Sequence, residues 1–254
     1  MKGKLLSIIL IGFLFIWYYG VLKARIDNDP SRKPIKKTVN INNKDRNLFI
    51  STSSNKLKDR NAPLIIFLHG MDGAWPNKKN TKPQYEYINQ LAFKKDFIAV
   101  FPQGSIGKCG DSSEKYYFYY CWDKTGKTDF DFIKKLRTTL ITQYGVSSEK
   151  TYLIGFSDGA YFVSKYLNSN NYKDFSGYGI NSAGVEIEKF DSNTKLSLTV
   201  GKKDTFEFDG SKKTKENLLK MGYTDNNFQY LEHDGGHNIS RIALEKQIDF
   251  LLKK

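Results

Sequence analysis

Histidine and cysteine are scarce in this chain: three histidines and two cysteines stand among 254 residues. Two cysteines cannot staple the kind of scaffold that small secreted domains depend on. A chain of this length buries roughly 70–75% of its extended surface on folding, so neither a disulfide nor a metal is needed to hold it together. Internal repeats and low-complexity blocks are absent too, which excludes a stacked-repeat architecture. Acidic residues are few, 27 against 40 Lys and Arg, and the net charge is +13. The first 22 residues contribute +2, residues 23–60 contribute +7, and the remaining chain only +4. A nucleic-acid protein carries its basic patch on the folded domain, so this distribution argues against a nucleic-acid partner. What is abundant is apolar and aromatic: 39% hydrophobic and 15% aromatic residues exclude a disordered chain and supply a packed core.

The apolar material is unevenly placed. Leu5 to Leu22 runs for 18 residues without a charge or a polar face, behind Lys2 and Lys4. That is long for the apolar part of a cleaved signal and at the lower edge for a membrane span. Cleavage needs small residues at the last and third-last positions, but Gly20 is preceded by Tyr18 and Ala24 by Leu22. The segment 1–22 therefore reads as an uncleaved membrane anchor, with a removed signal as the alternative. Residues 23–37, charged and carrying Pro30 and Pro34, read as a tether, and 38–254 as one domain. The basic residues after the span, Lys23 to Lys37, favour a cytoplasmic domain by the positive-inside count. The export-like start, together with Cys109 and Cys121 close enough to bridge, favours an extracytoplasmic one. A disulfide there and two separate thiols are both compatible with the sequence.

From residue 38 the chain alternates between two periods. Thr38–Ile41 and Asn47–Ser51 read as strands joined by a turn at Asn42-Asn43-Lys44-Asp45. Leu64–Leu68, Phe97–Phe101, Thr151–Ile154, Leu196–Val200 and Phe228–Leu231 are short apolar runs of strand length. Such runs belong to strands buried on both faces. Between them lie helical patterns over Gln84–Lys94, Asp129–Tyr144, Ala160–Leu167, Thr214–Met221 and Ile239–Leu252. The order predicts an α/β domain with a mostly parallel central sheet and helices on both faces.

Gly155-Phe156-Ser157-Asp158-Gly159 follows the Thr151–Ile154 strand and precedes a helical pattern. A serine on a tight strand-to-helix turn is lifted clear of the sheet, and small residues two positions either side relieve the crowding. Its hydroxyl is a weak nucleophile and needs a base. Of the histidines, His237 follows Gly235-Gly236 on a loop beyond the Phe228–Leu231 strand and is the favoured base; His233 is its competitor. His69, at the end of the Leu64–Leu68 strand, fits the loop beneath a reacting carbonyl. Asp204, just past the Leu196–Val200 strand, is the carboxylate that would orient the imidazole, with Asp209 and Asp191 as fallbacks. The developing oxyanion would be held by the main-chain N–H groups of Asp158 and Met71, the latter in the glycine-flanked Gly70-Met71-Asp72-Gly73 loop. The aromatic string Tyr116–Trp122 is either a substrate wall or a packing segment, and Trp75 and Trp122 are the candidate substrate contacts.

Taken together, Leu68-His69-Gly70, Cys121-Trp122, the Asp129–Leu136 stretch, Tyr152 to Gly159, Gly201–Asp204 and Gly235-Gly236-His237 resemble the polyhydroxybutyrate depolymerase and feruloyl esterase-like family. The similarity runs from about residue 60 to the C-terminus. It implies an α/β-hydrolase fold and an exported serine esterase with Ser157, Asp204 and His237 as its triad. The substrate would be a small or oligomeric ester, a hydroxyacid polyester or an acylated plant polysaccharide, and no metal or cofactor is implied. The chain departs from the family after His69-Gly70, where a cysteine is often found, and after His237, where Asn238-Ile239 replaces a frequent Trp-Pro.

Overall fold

The computed structural model of the chain describes residues 33–52, 61–71, 82–106, 119–123, 125, 128–189 and 191–253. Contacts divide the chain into two units, Met1–Lys33 and Pro34–Lys254. The apolar Leu5–Leu22 segment lies outside the described residues, and among those described no helix is long and apolar enough to cross a membrane.

The folded unit begins at β1 (Ile35–Ile41), which pairs antiparallel with β2 (Lys44–Ser51). Ile35 to Lys37, expected in the tether, are part of this strand. The turn between the two is shorter than the sequence suggests. Asn42 and Asn43 both adopt positive φ (57° and 58°), the geometry of a two-residue turn that asparagine tolerates. That pulls Lys44 and Asp45 into the ladder, where Asn40 Nδ2 donates to Asp45 Oδ1 at 2.7 Å.

The remaining elements alternate. They are β3 (Leu64–Leu68), α1 (Lys82–Lys95), β4 (Ile98–Pro102), β5 (Ser105–Ile106), β6 (Tyr120–Cys121), α2 (Asp129–Tyr144), β7 (Thr151–Phe156), α3 (Asp158–Asn168), β8 (Gly177–Asn181), β9 (Lys195–Gly201), α4 (Phe208–Lys220), β10 (Phe228–His233) and α5 (Arg241–Leu252). The main sheet has the order β1-β2-β4-β3-β7-β8-β9-β10; β1, β2 and β4 pair antiparallel and the rest parallel, while β5 and β6 form a small separate ribbon.

The five-residue run of β3 shows why unbroken apolar strands are needed here. Leu64, Ile66 and Leu68 enter one core with side chains of α2, α3 and α4, and Ile65 and Phe67 enter the other with α1 and α5. Both faces are covered, so both sets of alternate positions must be apolar. Helix α2 stops where predicted, at Gly145 in the left-handed conformation (φ 63°). Its first residue, the fully buried Asp129, pairs with Arg46 of β2 and accepts the Asp123 N–H, tying the antiparallel edge to the helix layer. Strand β8 is the one central strand that the apolar runs do not reveal. It reads Gly-Tyr-Gly-Ile-Asn, and a Cβ at Gly177 would fall 2.9 Å from Leu251, one at Gly179 3.0 Å from Ile154 and 3.1 Å from Gln247. Glycine lets α5 lie close on that strand. Cys121 is disulfide-bonded, and the other cysteine of the chain, Cys109, lies outside the described residues.

Candidate active site

Three loops at the carboxyl ends of β7, β9 and β10 converge. At the first, Ser157 sits between β7 and α3 with φ 51° and ψ −115°, a strained conformation costing about 1–3 kcal/mol that surrounding structure must enforce. The glycines flanking it are dictated by space. A Cβ at Gly155 would lie 2.2 Å from Gly159 O, and one at Gly159 would lie 2.5 Å from Leu68 O. Ser157 N donates to Asn181 O at 2.9 Å, and its carbonyl accepts from Ala160 N and Tyr161 N.

The second loop turns back after β9 so that Asp204 N donates to Gly201 O at 3.0 Å. The Asp204 side chain is fully buried, and Oδ1 accepts main-chain N–H groups from Phe206 and Glu207, both at 3.2 Å. The third loop is stitched to the second: Lys202 N donates to His233 O at 2.7 Å and Lys203 N to Gly235 O at 2.9 Å. The approach is so close that a Cβ on Gly201 would meet Gly236 O at 2.3 Å.

His237 hangs from this third loop with 32% of its side chain exposed. Its Nδ1 lies 2.9 Å from Asp204 Oδ2 and its Nε2 2.9 Å from Ser157 Oγ. A carboxylate can only accept, so Nδ1 carries the proton and Nε2 is left to accept the serine hydroxyl. The rings of Phe156 and Phe206 stand 5.2 and 6.3 Å from the imidazole. Serine, histidine and aspartate thus form one continuous hydrogen-bonded line. An arrangement of this kind can pass a proton from the hydroxyl to the imidazole while the carboxylate stabilises the cation that forms.

The other histidines have different duties. His233 Nδ1 accepts the Gly235 N–H at 3.1 Å, and the ring also hydrogen-bonds the Asn238 main chain, so it braces the loop that carries His237. Burial holds its pKa below the ordinary value. His69 is fully buried: Nδ1 donates to Gly70 O at 2.7 Å and Nε2 accepts the Gly104 N–H at 2.9 Å. Burial drives its pKa down to about 4, against smaller raising effects of the Gly70 bond and Asp158. It is a neutral strut at the end of β3. Of the fallback carboxylates, Asp209 is exposed in the first turn of α4 and Asp191 closes a turn through Asn193 N.

Trp122 corrects the sequence reading. Expected as a substrate contact, it is fully buried, with its indole N–H donating to His69 O at 2.9 Å and its rings packed near His69 and Phe162. A large ring with one donor is better satisfied inside, where that donor has a carbonyl to meet. Asp158, which opens α3, is held by its side chain accepting the Trp122 main-chain N–H at 2.9 Å. Met71 follows Gly70, whose Cβ would fall 3.2 Å from Ser157 Cβ, and is 41% exposed. Trp75 lies outside the described residues. Sequence reasoning overlooked Phe206, which is 83% exposed beside His237; a bare aromatic two residues after Asp204 was the available signal. A surface cleft of about 530 Å³ lined by Tyr87, His233, Asn238, Arg241 and Lys246 borders the third loop but takes in neither Ser157 nor Asp204.

Solved structures share this frame. A ferulic acid esterase aligns with a TM-score of 0.65 over 87% of this chain and 97% of its own, at 15% identity. This chain has the α/β-hydrolase fold. A mutant of the feruloyl esterase module from Clostridium thermocellum, complexed with sinapinate, aligns at TM-score 0.61 and 12% identity over 89% of each chain. The acetyl xylan esterase from Aspergillus awamori aligns at 0.59 and 16% identity, covering 85% of this chain and 98% of that one. In sequence, 103 residues, 41% of the chain, are 29% identical to a bifunctional acetylxylan esterase/xylanase from Neocallimastix patriciarum. The chain spans only 13% of that relative's length. No protein-family model matches the chain.

Proposed function

We propose that this α/β-hydrolase cleaves carboxylic esters through an acyl-enzyme on Ser157. The observation that carries the reading is the unbroken Ser157–His237–Asp204 line, two contacts of 2.9 Å on a strained turn at the rim of the sheet. The names of the three aligned esterase structures and of the bifunctional acetylxylan esterase/xylanase relative support the same reaction class. His237 Nε2 takes the Ser157 proton as Oγ adds to the ester carbonyl. The oxyanion is met by the main-chain N–H groups of Asp158 and Met71, each worth roughly 3–4 kcal/mol in sites of this type. Collapse of the adduct expels the alcohol, which receives the proton from His237. Water then repeats the sequence on the acyl-enzyme and restores the free serine.

The substrate is a small-molecule or oligomeric ester of the kind its neighbours' names describe, an acetyl or hydroxycinnamoyl group on a sugar or polysaccharide. The export-like Leu5–Leu22 stretch supports a protein delivered to a membrane or beyond it, and the disulfide-bonded Cys121 supports a hydrolase domain outside the cytoplasm, against the positive-inside count. Ser157→Ala should lower turnover of a short-chain nitrophenyl ester by about 10⁴-fold or more while the thermal midpoint holds. A folded variant with wild-type turnover removes Ser157 from the reaction.

A further inference from the structure

We infer that Asn181 and Gln247 are positioning residues, a buried carboxamide pair that holds the Ser157 turn in register with the strand leading to Asp204 and the helix following His237. The inference rests on the reading of Ser157 as nucleophile. Asn181 ends β8, opposite Phe156 of β7 on one side and Thr199 of β9 on the other. Its side chain and that of Gln247 on α5 are buried, at 1% and 0% exposure. Asn181 Nδ2 donates to Gly155 O and to Gln247 Oε1, each at 3.0 Å, and its Oδ1 accepts the Thr199 hydroxyl. Gln247 Nε2 donates to Ser197 O of β9 at 3.0 Å. The main-chain carbonyl of Asn181 accepts Ser157 N. One residue therefore grips the chain two residues before the nucleophile and at the nucleophile itself.

The room for this pair is specified by sequence. Gly179, two residues earlier on the same strand, leaves the space into which the Gln247 carboxamide projects. Ser182, immediately after Asn181, takes φ 51°, and its N–H donates to Thr199 O, so the end of β8 is bent sharply beside the strained serine. Leucine and methionine would fill these two positions without desolvating an amide. A buried network whose members are all paired instead fixes geometry, because each bond is directional. From β8 the bonds reach β7, which precedes Ser157, β9, which precedes Asp204, and α5, which follows His237.

The test compares wild type with Asn181→Leu/Gln247→Met, which keeps volume and removes the network. The readouts are thermal midpoint, kcat and KM on a short-chain nitrophenyl ester, and the rate at which a fluorophosphonate labels Ser157. The inference predicts a folded double variant with a lowered midpoint, because the Gly155 and Ser197 carbonyls and the Thr199 hydroxyl lose these partners. KM should be unchanged, with kcat and labelling rate, measured well below that midpoint, both falling about tenfold or more, as expected for a misplaced reacting group. A folded double variant with wild-type kcat and labelling overturns it. If that variant does not fold, Gln247→Met alone leaves the Asn181 bonds to Gly155 and Thr199 in place and should lower both rates about threefold; unchanged rates overturn it as well. A wild-type chain that labels at Ser157 but turns over no ester would sink the ester reading alone, while the labelling comparison still decides the positioning role. A wild-type chain that does not label would sink both.

Discussion

His69 ends β3 and His237 sits on the loop after β10, with three strands of the sheet between them, and in the proposed reaction the same side chain has opposite uses. His69 is sealed at the end of β3, with one nitrogen given to Gly70 O and the other to Gly104 N, and burial has taken its pKa to about 4. His237 leaves a third of its ring in solvent and spends its nitrogens on a carboxylate and a hydroxyl. The first is surrounded by main-chain groups and Trp122, which fix a neutral tautomer. The second has a buried carboxylate on its far side, which would stabilise an added proton in the proposed reaction. Burial and the identity of the second partner, not the residue type, decide whether an imidazole is a strut or a base.

Three substitutions sharpen that contrast. His237→Ala should produce the largest change, a loss of about 10⁴-fold or more in kcat with the thermal midpoint preserved. His69→Leu should do the reverse, keeping the chemistry and losing stability, with a distinct pH signature. The folded-state pKa of His69, about 4, lies below its ordinary 6.5, so folding selects the neutral form. Its contribution is complete above pH 6.5 and is lost as the pH falls towards 4, on the order of 3 kcal/mol across that window. Denaturant titrations at pH 7, 5.5 and 4.5 should show wild-type stability falling along this limb and the variant falling less. An identical slope in both would mean His69 is not the group that titrates. His233→Ala should have the smallest effect, about three- to tenfold in kcat, because it removes the brace under the His237 loop and leaves the line itself intact. A loss as large as that of His237→Ala would reverse the assignment of strut and base.

What the sequence discloses follows from how local the cause is. The β7–α3 turn was legible because Gly155 is crowded by Gly159 O within the same five residues and Ser157 there takes a positive φ, although Gly159 itself answers to Leu68 O of β3. Helix α2 was legible from end to end because its apolar spacing and the Gly145 stop are local too. Strand β8 was not, because its glycines answer to Leu251 and Gln247, some 70 residues away in the chain. Trp122 misled for the same reason: its burial is set by the His69 carbonyl and Phe162, which only the fold brings to it. Phe206 lay unnoticed next to Asp204 because exposure of an aromatic cannot be read before the loop is placed.

The most direct measurement of the central claim is mass spectrometry after reaction with a fluorophosphonate. The account predicts a single adduct on the peptide bearing Ser157, absent in Ser157→Ala and formed far more slowly in His237→Ala than in His69→Leu. A wild-type chain that stays unmodified, or one modified at another serine, would contradict it.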